Sequence, residues 1–268
     1  MSTTASKAAS PEPVLLREDR GNIRLLTLNR PAQYNALSEA MLTALQQELD
    51  CLAEDESQQV VILAANGKAF CAGHDLKEMR AHPDQEYYQT LFEQCSRVML
   101  SMTRISQPVI ACVQGMATAA GCQLVANADL AVASTDARFA VSGINLGLFC
   151  STPGVALSRN IPRKRAFEML ITGKFIDAQT AAEWGLINAA VGPDQLMNTV
   201  MDLANNIAQK SPVAVRTGKQ MFYRQLEDGL ADAYAYAGDV MSCNMMAEDT
   251  AEGIDAFIEK RTPIWRGR

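Results

Sequence analysis

Two short apolar runs constrain this chain more than any other feature. Val60 to Ala64 and Val109 to Val113 are β-rich, and each ends in a glycine turn, Asn66-Gly67 after the first and Gln114-Gly115 after the second. Both read as buried strands. Between them, Tyr87 to Ile105 carries Leu91, Cys95, Val98 and Met102 at helical spacing. The order is therefore strand, helix, strand, which favours crossovers of the α/β kind. After Gly115, Ala119 to Ala128 reads as a helix and Leu130 to Ala133 as a further strand. Upstream, Ile23 to Leu28 is β-rich and is closed by Asn29, Arg30 and Pro31, since proline ends strand pairing. Ser38 is placed to cap a helix whose Leu42, Leu45, Leu49 and Leu52 form one apolar stripe.

From Pro162 onward helices dominate. Arg163 to Leu170, Ala178 to Trp184, Leu196 to Lys210, Val213 to Gln225 and Leu230 to Met246 all have helical patterning, and only Ile187 to Val191 breaks the run with a strand. An apolar face from Leu230 through Met246 is easier to stabilise against a neighbour than alone, which points to oligomerisation.

Composition removes several function classes. At 268 residues with 48% hydrophobic and 20% charged, the chain suits one large domain, or one domain with a helical appendage. A net charge of -6 argues against the basic surface that nucleic acid requires. The seven cysteines are odd in number and scattered, as expected of reduced thiols, and no pair has the spacing of a metal knuckle. With only His74 and His82, a His-rich metal site or a hydrolytic Ser/His/Asp triad has little raw material. No apolar run approaches the roughly 20 residues that span a bilayer, and the small, polar residues 1–12 read as a disordered tail. No metal, no nucleic acid and no membrane partner is expected. The expected compartment is the cytoplasm, with the mitochondrion as the alternative in a eukaryote.

The stretches able to carry chemistry are KAFCAGHDLKE, Lys68 to Glu78, and IACVQGMATAAGCQLV, Ile110 to Val125. In each a strand meets small residues and then a helix start. Small residues let backbone approach a ligand, and a helix N-terminus leaves N–H groups unpaired and favours negative charge. Two such turns facing one another can hold one oxyanion between them.

The motifs LNRPAQYNALS, KAFCAGHDLKEM, PVIACVQGMATAAGCQLV and FAVSGINLGL, in that order, resemble the enoyl-CoA hydratase/isomerase, or crotonase, family. The likeness runs from about Leu25 to the closing GIDAFIEKRTPIW, and ATAAGCQLVANADLAVAS with GLFCSTPGVALSRNIPRK is closer still to the subgroup typified by enoyl-CoA hydratase domain-containing protein 3. The resemblance implies an α/β fold with a crotonase (ClpP-like) β-β-α spiral core over 13–205. It also implies a C-terminal helical region, 206–268, that assembles a homotrimer or a dimer of trimers. The implied ligand is a coenzyme A thioester, bound as substrate or as ligand, and no cofactor is implied. The backbone N–H groups of His74 and Ala120 would form the oxyanion hole around the thioester carbonyl. Asp75, Leu76 and Lys77 would lie along the CoA moiety, and the Asn29 to Leu37 loop, with Asn35 and Ala36, would wall its nucleotide side. Lys260 or Arg261 would reach a phosphate, across a subunit boundary if need be.

Two departures bear on mechanism. Family hydratases carry glutamates where this chain has Gln123 and Gly143. A glutamine amide does not titrate near neutrality and glycine has no side chain, so general acid/base catalysis, about 100- to 10,000-fold for each role, has no evident carrier. Ser151, near the place of the isomerase aspartate, is no better base. Cys122 and Cys150 are candidate nucleophiles, although cysteine more often serves as a small buried hydrophobe. The His74 side chain is a candidate for titration near neutrality, with a bulky pocket wall as the plainer reading. Asp75 and Glu78 read as helix-start charges, Ser142, Asn145 and Ser151 as polar loop residues, and Lys77, Arg163, Lys164 and Arg165 as solvated cations. Three functions follow: an enzyme that stabilises a thioester enolate, a non-catalytic acyl-CoA binding or regulatory protein, and an RNA-binding relative that the acidic charge opposes.

Overall fold

A computed structural model describes residues 12–268, so the expected tail at 1–12 lies, but for Glu12, outside the described residues. β1 (Leu15–Arg20) and β2 (Ile23–Leu28) form an antiparallel hairpin that turns at Gly21, φ +66°. α1 (Glu39–Glu54) follows, and the Ser38 hydroxyl caps it by accepting the Met41 N–H at 3.2 Å. The Leu42, Leu45, Leu49 and Leu52 stripe is fully buried, worth about 1.5–3 kcal/mol for each leucine.

One unit then recurs: a long strand, a short strand and helix. Its first copy is β3 (Val60–Ala65), β4 (Ala69–Cys71), α2 (Leu76–Ala81) and α3 (Gln85–Arg104). The second is β5 (Val109–Val113), β6 (Met116–Thr118) and α4 (Ala120–Asn127). The third is β7 (Leu130–Ser134), β8 (Arg138–Ala140), a 3-10 stretch at Ser142–Leu146 and α5 (Ser151–Asn160). The chain continues through α6 (Arg163–Thr172), β9 (Ile176–Asp177), α7 (Ala178–Trp184), β10 (Ala189–Val191), α8 (Leu196–Ala208), α9 (Pro212–Gln225), α10 (Leu230–Met245) and α11 (Glu248–Glu259).

The long strands make a six-stranded sheet in the order β1-β2-β3-β5-β7-β10, parallel except for the β1–β2 pair. The short strands make a second sheet, β4-β6-β8-β9, in which β9 runs antiparallel to β8. This is the expected β-β-α spiral. The large sheet is buried on both faces, as parallel sheets are. Ile23, Leu25, Val60, Ile62, Ile110, Cys112 and Val132 point to Leu196, Val200 and Ala204 of α8. Leu26, Leu28, Val61, Leu63, Val109, Ala111 and Val113 point the other way, into the core shared with α1, α3 and α4. α8 runs through residue 205 without a break, and its apolar face belongs to the sheet.

The helical segment is pinned from beneath. The Lys219 Nζ of α9 donates to the Met102 and Gln107 carbonyls at 2.8 and 2.9 Å and to Asp129 Oδ2 at 2.7 Å, while the Tyr223 hydroxyl donates to Asp129 Oδ1 at 2.7 Å. Desolvation lowers the Lys219 pKa, and Asp129 opposes that effect.

Several elements differ from the sequence reading. The second sheet was not foreseen, because strands of two or three residues lack periodicity and owe their order to pairing with distant segments. β9 is therefore a second strand in the helical half, and β10 starts at Ala189 rather than Ile187. β1, a charged edge strand, and the helices α5 and α11 were also not anticipated.

Candidate active site

Both glycine turns singled out in the sequence lie in the described core, and they touch each other. The first joins β4 to α2. Gly73 is held at φ +90°, and a β-carbon added to it would lie 2.9 Å from the Ala119 Cβ of the second turn, so only glycine allows the approach. His74 pairs with Leu37 in an isolated parallel bridge: the Leu37 N–H donates to the Gly73 carbonyl at 2.8 Å, and the Asp75 N–H donates to the Leu37 carbonyl at 3.2 Å. Successive N–H groups of an extended segment point to opposite sides, so the His74 N–H turns away from Leu37. Among the described residues it has no backbone acceptor.

The second turn joins β6 to α4. Ala119 adopts φ 49°, ψ −121°, a conformation that L-residues rarely accept, and its N–H donates to the Ala140 carbonyl at 3.0 Å. Strain of this kind costs on the order of 1–3 kcal/mol and concentrates at functional sites. Here it sets the direction in which α4 begins. Ala120 is the first helical residue, and its N–H also lacks a backbone acceptor among the described residues. The Thr118 hydroxyl ties the two turns together by donating to the Ala72 carbonyl at 3.0 Å. At Gly121 a β-carbon would lie 2.1 Å from the Cys71 carbonyl oxygen, so α4 can pack this closely on β4 only through glycine.

A cavity of about 320 Å³ opens over these turns. His74, Ala119 and Ala120 border it on one side, the loop and helix start from Ser142 to Pro153 on another, and Leu76, Met79 and Phe92 on a third. A smaller cavity of about 100 Å³, between the end of α1 and the start of α9, contains none of the expected site residues.

Of the expected residues, His74, Leu76, Ala120, Ser142, Gly143, Cys150 and Ser151 meet at the large cavity. Gln123 is 5% exposed and does not line it, and its Oε1 is buried without a hydrogen-bond partner among the described residues. Gly143 is tightly enclosed: a β-carbon there would lie 2.7 Å from both the Leu148 carbonyl oxygen and the Cys150 Sγ. The loop is closed by the Leu148 N–H, which donates to the Gly143 carbonyl at 3.0 Å.

Other expected residues serve the scaffold. Asn35, fully buried at φ 53°, accepts the Arg30 N–H at 2.8 Å and donates to the Asn66 and Ala69 carbonyls at 2.8 Å each. Its amide is used up in holding the 30–37 loop. The Ala36 carbonyl accepts from Arg30 Nη1 at 2.9 Å. Asp75 caps α2 through the Lys77 N–H at 3.1 Å and meets Arg30 Nη2 at 3.1 Å. Burial works against its carboxylate, but hydrogen bonds from Arg30 and the Lys77 and Glu78 N–H groups outweigh it and leave its pKa below the ordinary value. Lys77, Arg163, Lys164 and Arg165 are exposed, and Arg165 stacks on Trp184 at 4.7 Å. Arg261 is engaged within its own chain, by Glu252 at 2.6 and 2.9 Å and by Glu259 at 2.6 Å. Those contacts do not leave it free for a phosphate, and Lys260 is exposed at the end of α11.

The titratable groups at the cavity are neutral near pH 7. Burial lowers the His74 pKa from 6.5 to about 4; the Leu37 backbone, outside hydrogen-bond geometry, opposes this, and neither ring nitrogen has a hydrogen-bond partner among the described residues. The ring packs edge-on against Phe92 at 5.4 Å. His74 is thus a wall and not a group that titrates near neutrality. Burial also raises the Cys150 thiol, and it raises that of the fully buried Cys122 to about 12, so neither is a ready nucleophile. Among the described residues, no Asp, Glu, Lys or Arg borders the cavity. Leu148, Phe149 and Thr152 border it and were not anticipated. Phe92 was missed because it lies beside the Leu91–Cys95 stripe of α3 and not on it.

Comparison with known proteins agrees with this architecture. The family model described as enoyl-CoA hydratase/isomerase matches residues 18–268. The human enoyl-CoA hydratase domain-containing protein 3, mitochondrial, is 44% identical over 259 residues, covering 97% of this chain and 85% of that protein. The Escherichia coli 2,3-dehydroadipyl-CoA hydratase is 34% identical over 258 residues, covering 96% of this chain and 99% of that protein. Among solved structures, an enoyl-CoA hydratase of Mycobacterium smegmatis superposes with a TM-score of 0.94 at 59% identity, covering 95% of this chain and 99% of that one. The human domain-containing protein 3 superposes with a TM-score of 0.92 at 44% identity, covering 94% of this chain and 100% of that one. With its β-β-α spiral and a family match over nearly its whole length, the chain belongs to the enoyl-CoA hydratase/isomerase family, within the subgroup of enoyl-CoA hydratase domain-containing protein 3.

Proposed function

We propose that the chain binds an acyl-CoA thioester with its carbonyl oxygen between the backbone N–H groups of His74 and Ala120, where negative charge developing on that oxygen is stabilised. The observation that carries this reading is that two residues whose main-chain N–H groups have no acceptor among the described residues border one cavity, held there by a strained Ala119 and a positive-φ Gly73. Fixed donors need no reorganisation as charge appears, and each contributes roughly 3 kcal/mol in such a site. The mostly apolar wall supplied by Leu76, Met79, Phe92, Leu146, Leu148 and Phe149 suits an acyl group.

Standard hydration is not part of this function. By the family resemblance, Gln123 and Gly143 stand at the two positions where family hydratases carry glutamates, and the cavity has no carboxylate among the described residues that border it. The alternative is a non-catalytic acyl-CoA binding or regulatory protein, favoured by the same two positions. Calorimetric titration with butyryl-CoA, crotonyl-CoA and free CoA tests the binding. The thioesters should bind more tightly than free CoA, and equal affinities would defeat the reading.

The exposed apolar side chains of α10 and α11, among them Tyr234, Met241, Met245, Phe257 and Ile258, support assembly as a homotrimer or a dimer of trimers. No helix of the described residues is long and apolar enough to cross a membrane. The vertebrate relatives are named as mitochondrial, which lends support to the mitochondrial alternative and none to the cytoplasmic expectation.

A further inference from the structure

The cavity of about 100 Å³ between the end of α1 and the start of α9 has no part in the thioester reading, and two buried acceptors beside it have nothing to accept. Gln58 and Gln107 border it and are 7% and 2% exposed. The Gln107 Nε2 donates to the Leu52 and Asp55 carbonyls at 2.9 Å each, so both of its hydrogens are committed and the orientation of the amide is fixed. Its Oε1 is left as an acceptor without a donor among the described residues. The Gln58 Oε1 is in the same position, with its Nε2 turned to the Gly21 carbonyl at 3.5 Å. Buried acceptors of this kind are costly unless an N–H or O–H group meets them.

Charge around the cavity is divided. The C-terminus of α1, whose last carbonyls favour a positive group, ends on one side, and the N-terminus of α9, which favours a negative one, begins on the other. The carboxylates nearby are engaged: Asp55 meets Arg24 at 3.0 Å, and Glu56 meets Arg216 at 3.6 Å. Lys210, directly before the Ser211 cap of α9, also borders the cavity and forms no ion pair among the described residues.

We infer that this cavity binds a small zwitterion of the α-amino acid class. Its ammonium group donates to the Gln58 and Gln107 Oε1 atoms beside the end of α1, and its carboxylate faces Lys210 at the start of α9. A volume of about 100 Å³ has room for roughly seven water-sized groups, which suits glycine, alanine or serine. The cavity shares no lining residue with the one over the glycine turns, so the inference is independent of the thioester reading.

Calorimetric titration of the full chain with millimolar glycine, L-alanine and L-serine tests this, with ethylamine and propionate as probes of each half. The expected result is a one-site isotherm for at least one amino acid, with an affinity at least about 10-fold above that of either half. Saturation should raise the melting temperature by about 2 °C or more. Gln107→Lys keeps donors on the Leu52 and Asp55 carbonyls but removes the acceptor, and it should weaken amino acid binding by about 10-fold or more. Lys210→Met should weaken it by a similar factor. Ethylamine binding as tightly as alanine would overturn the zwitterion in favour of a simple cation site. No binding by any probe would show a cavity filled by water alone and would overturn the site. The wild-type titrations are decisive even if a variant does not fold.

Discussion

The main-chain carbonyl oxygen of Leu148 lies 2.7 Å from the point where a β-carbon on Gly143 would sit. Glycine at 143 is therefore a packing requirement of the loop. Gly143→Ala must move the Leu148 backbone or the Cys150 side chain, and overpacking of this kind costs about 1–3 kcal/mol. Gly143→Glu should lower the melting temperature at least as much and yield no hydratase. Gln123→Glu, nearly isosteric, should fold and also fail to hydrate crotonyl-CoA. A Gly143→Ala protein that melts with the wild type would contradict the close approach.

Ala119 holds a backbone conformation, φ 49°, ψ −121°, that glycine adopts without strain. Ala119→Gly should relieve part of a strain of about 1–3 kcal/mol, set against the extra unfolded-state entropy of glycine, about 0.5–1 kcal/mol. Urea denaturation should show a stability equal to the wild type or higher by up to about 1 kcal/mol. A loss above about 1 kcal/mol would show that the conformation carries no strain.

His74 ties stability to pH. Its pKa falls from 6.5 to about 4 on folding, so between those values the unfolded chain binds a proton that the folded chain refuses. The stabilisation is fully present above pH 6.5 and is lost as pH falls towards 4, reaching a size on the order of 3 kcal/mol. His74→Phe should flatten this segment of the melting-temperature profile. An unchanged slope between pH 6.5 and 4 would mean that His74 titrates normally.

Lys219 and Asp129 form an ion pair, at 2.7 Å, with side chains only 5% and 12% exposed. Lys219→Met leaves the carboxylate half-satisfied and should cost about 3–5 kcal/mol. Adding Asp129→Asn to it should cost less than the sum of the two single changes, because the uncompensated charge is gone. Strict additivity in a double-mutant cycle would show that the pair is not coupled.

Where a local interaction stabilises an element, the sequence is legible. The strands Ile23–Leu28 and Val109–Val113 and the helix Ala178–Trp184 have the boundaries that their patterns imply, and Ser38 caps the helix it was assigned to. Apolar spacing and a capping hydroxyl act within a few residues. β4, β6 and β8 have no such signal, since each is held by a partner some 20 to 50 residues away. The site divides along the same line. The two glycine turns were visible as small residues between strand and helix, and they do meet at one cavity. That Asn35 spends its amide on Asn66 and Ala69, and Asp75 its carboxylate on Arg30, was invisible, because those partners lie more than 30 residues away in sequence.

The sequence by itself determined the order of strand, glycine turn and helix, the small residues where backbone must approach backbone, and the residues that stand at positions 123 and 143. The tertiary structure alone decided what surrounds them. It brought His74 and Ala120 to one cavity, buried the His74 ring nitrogens and the Cys122 and Cys150 thiols in their neutral forms, and set the Leu148 carbonyl against Gly143. The physical reason is that periodicity and capping are properties of neighbouring residues. Burial, proton affinity and steric closure instead depend on groups that the fold brings together from afar.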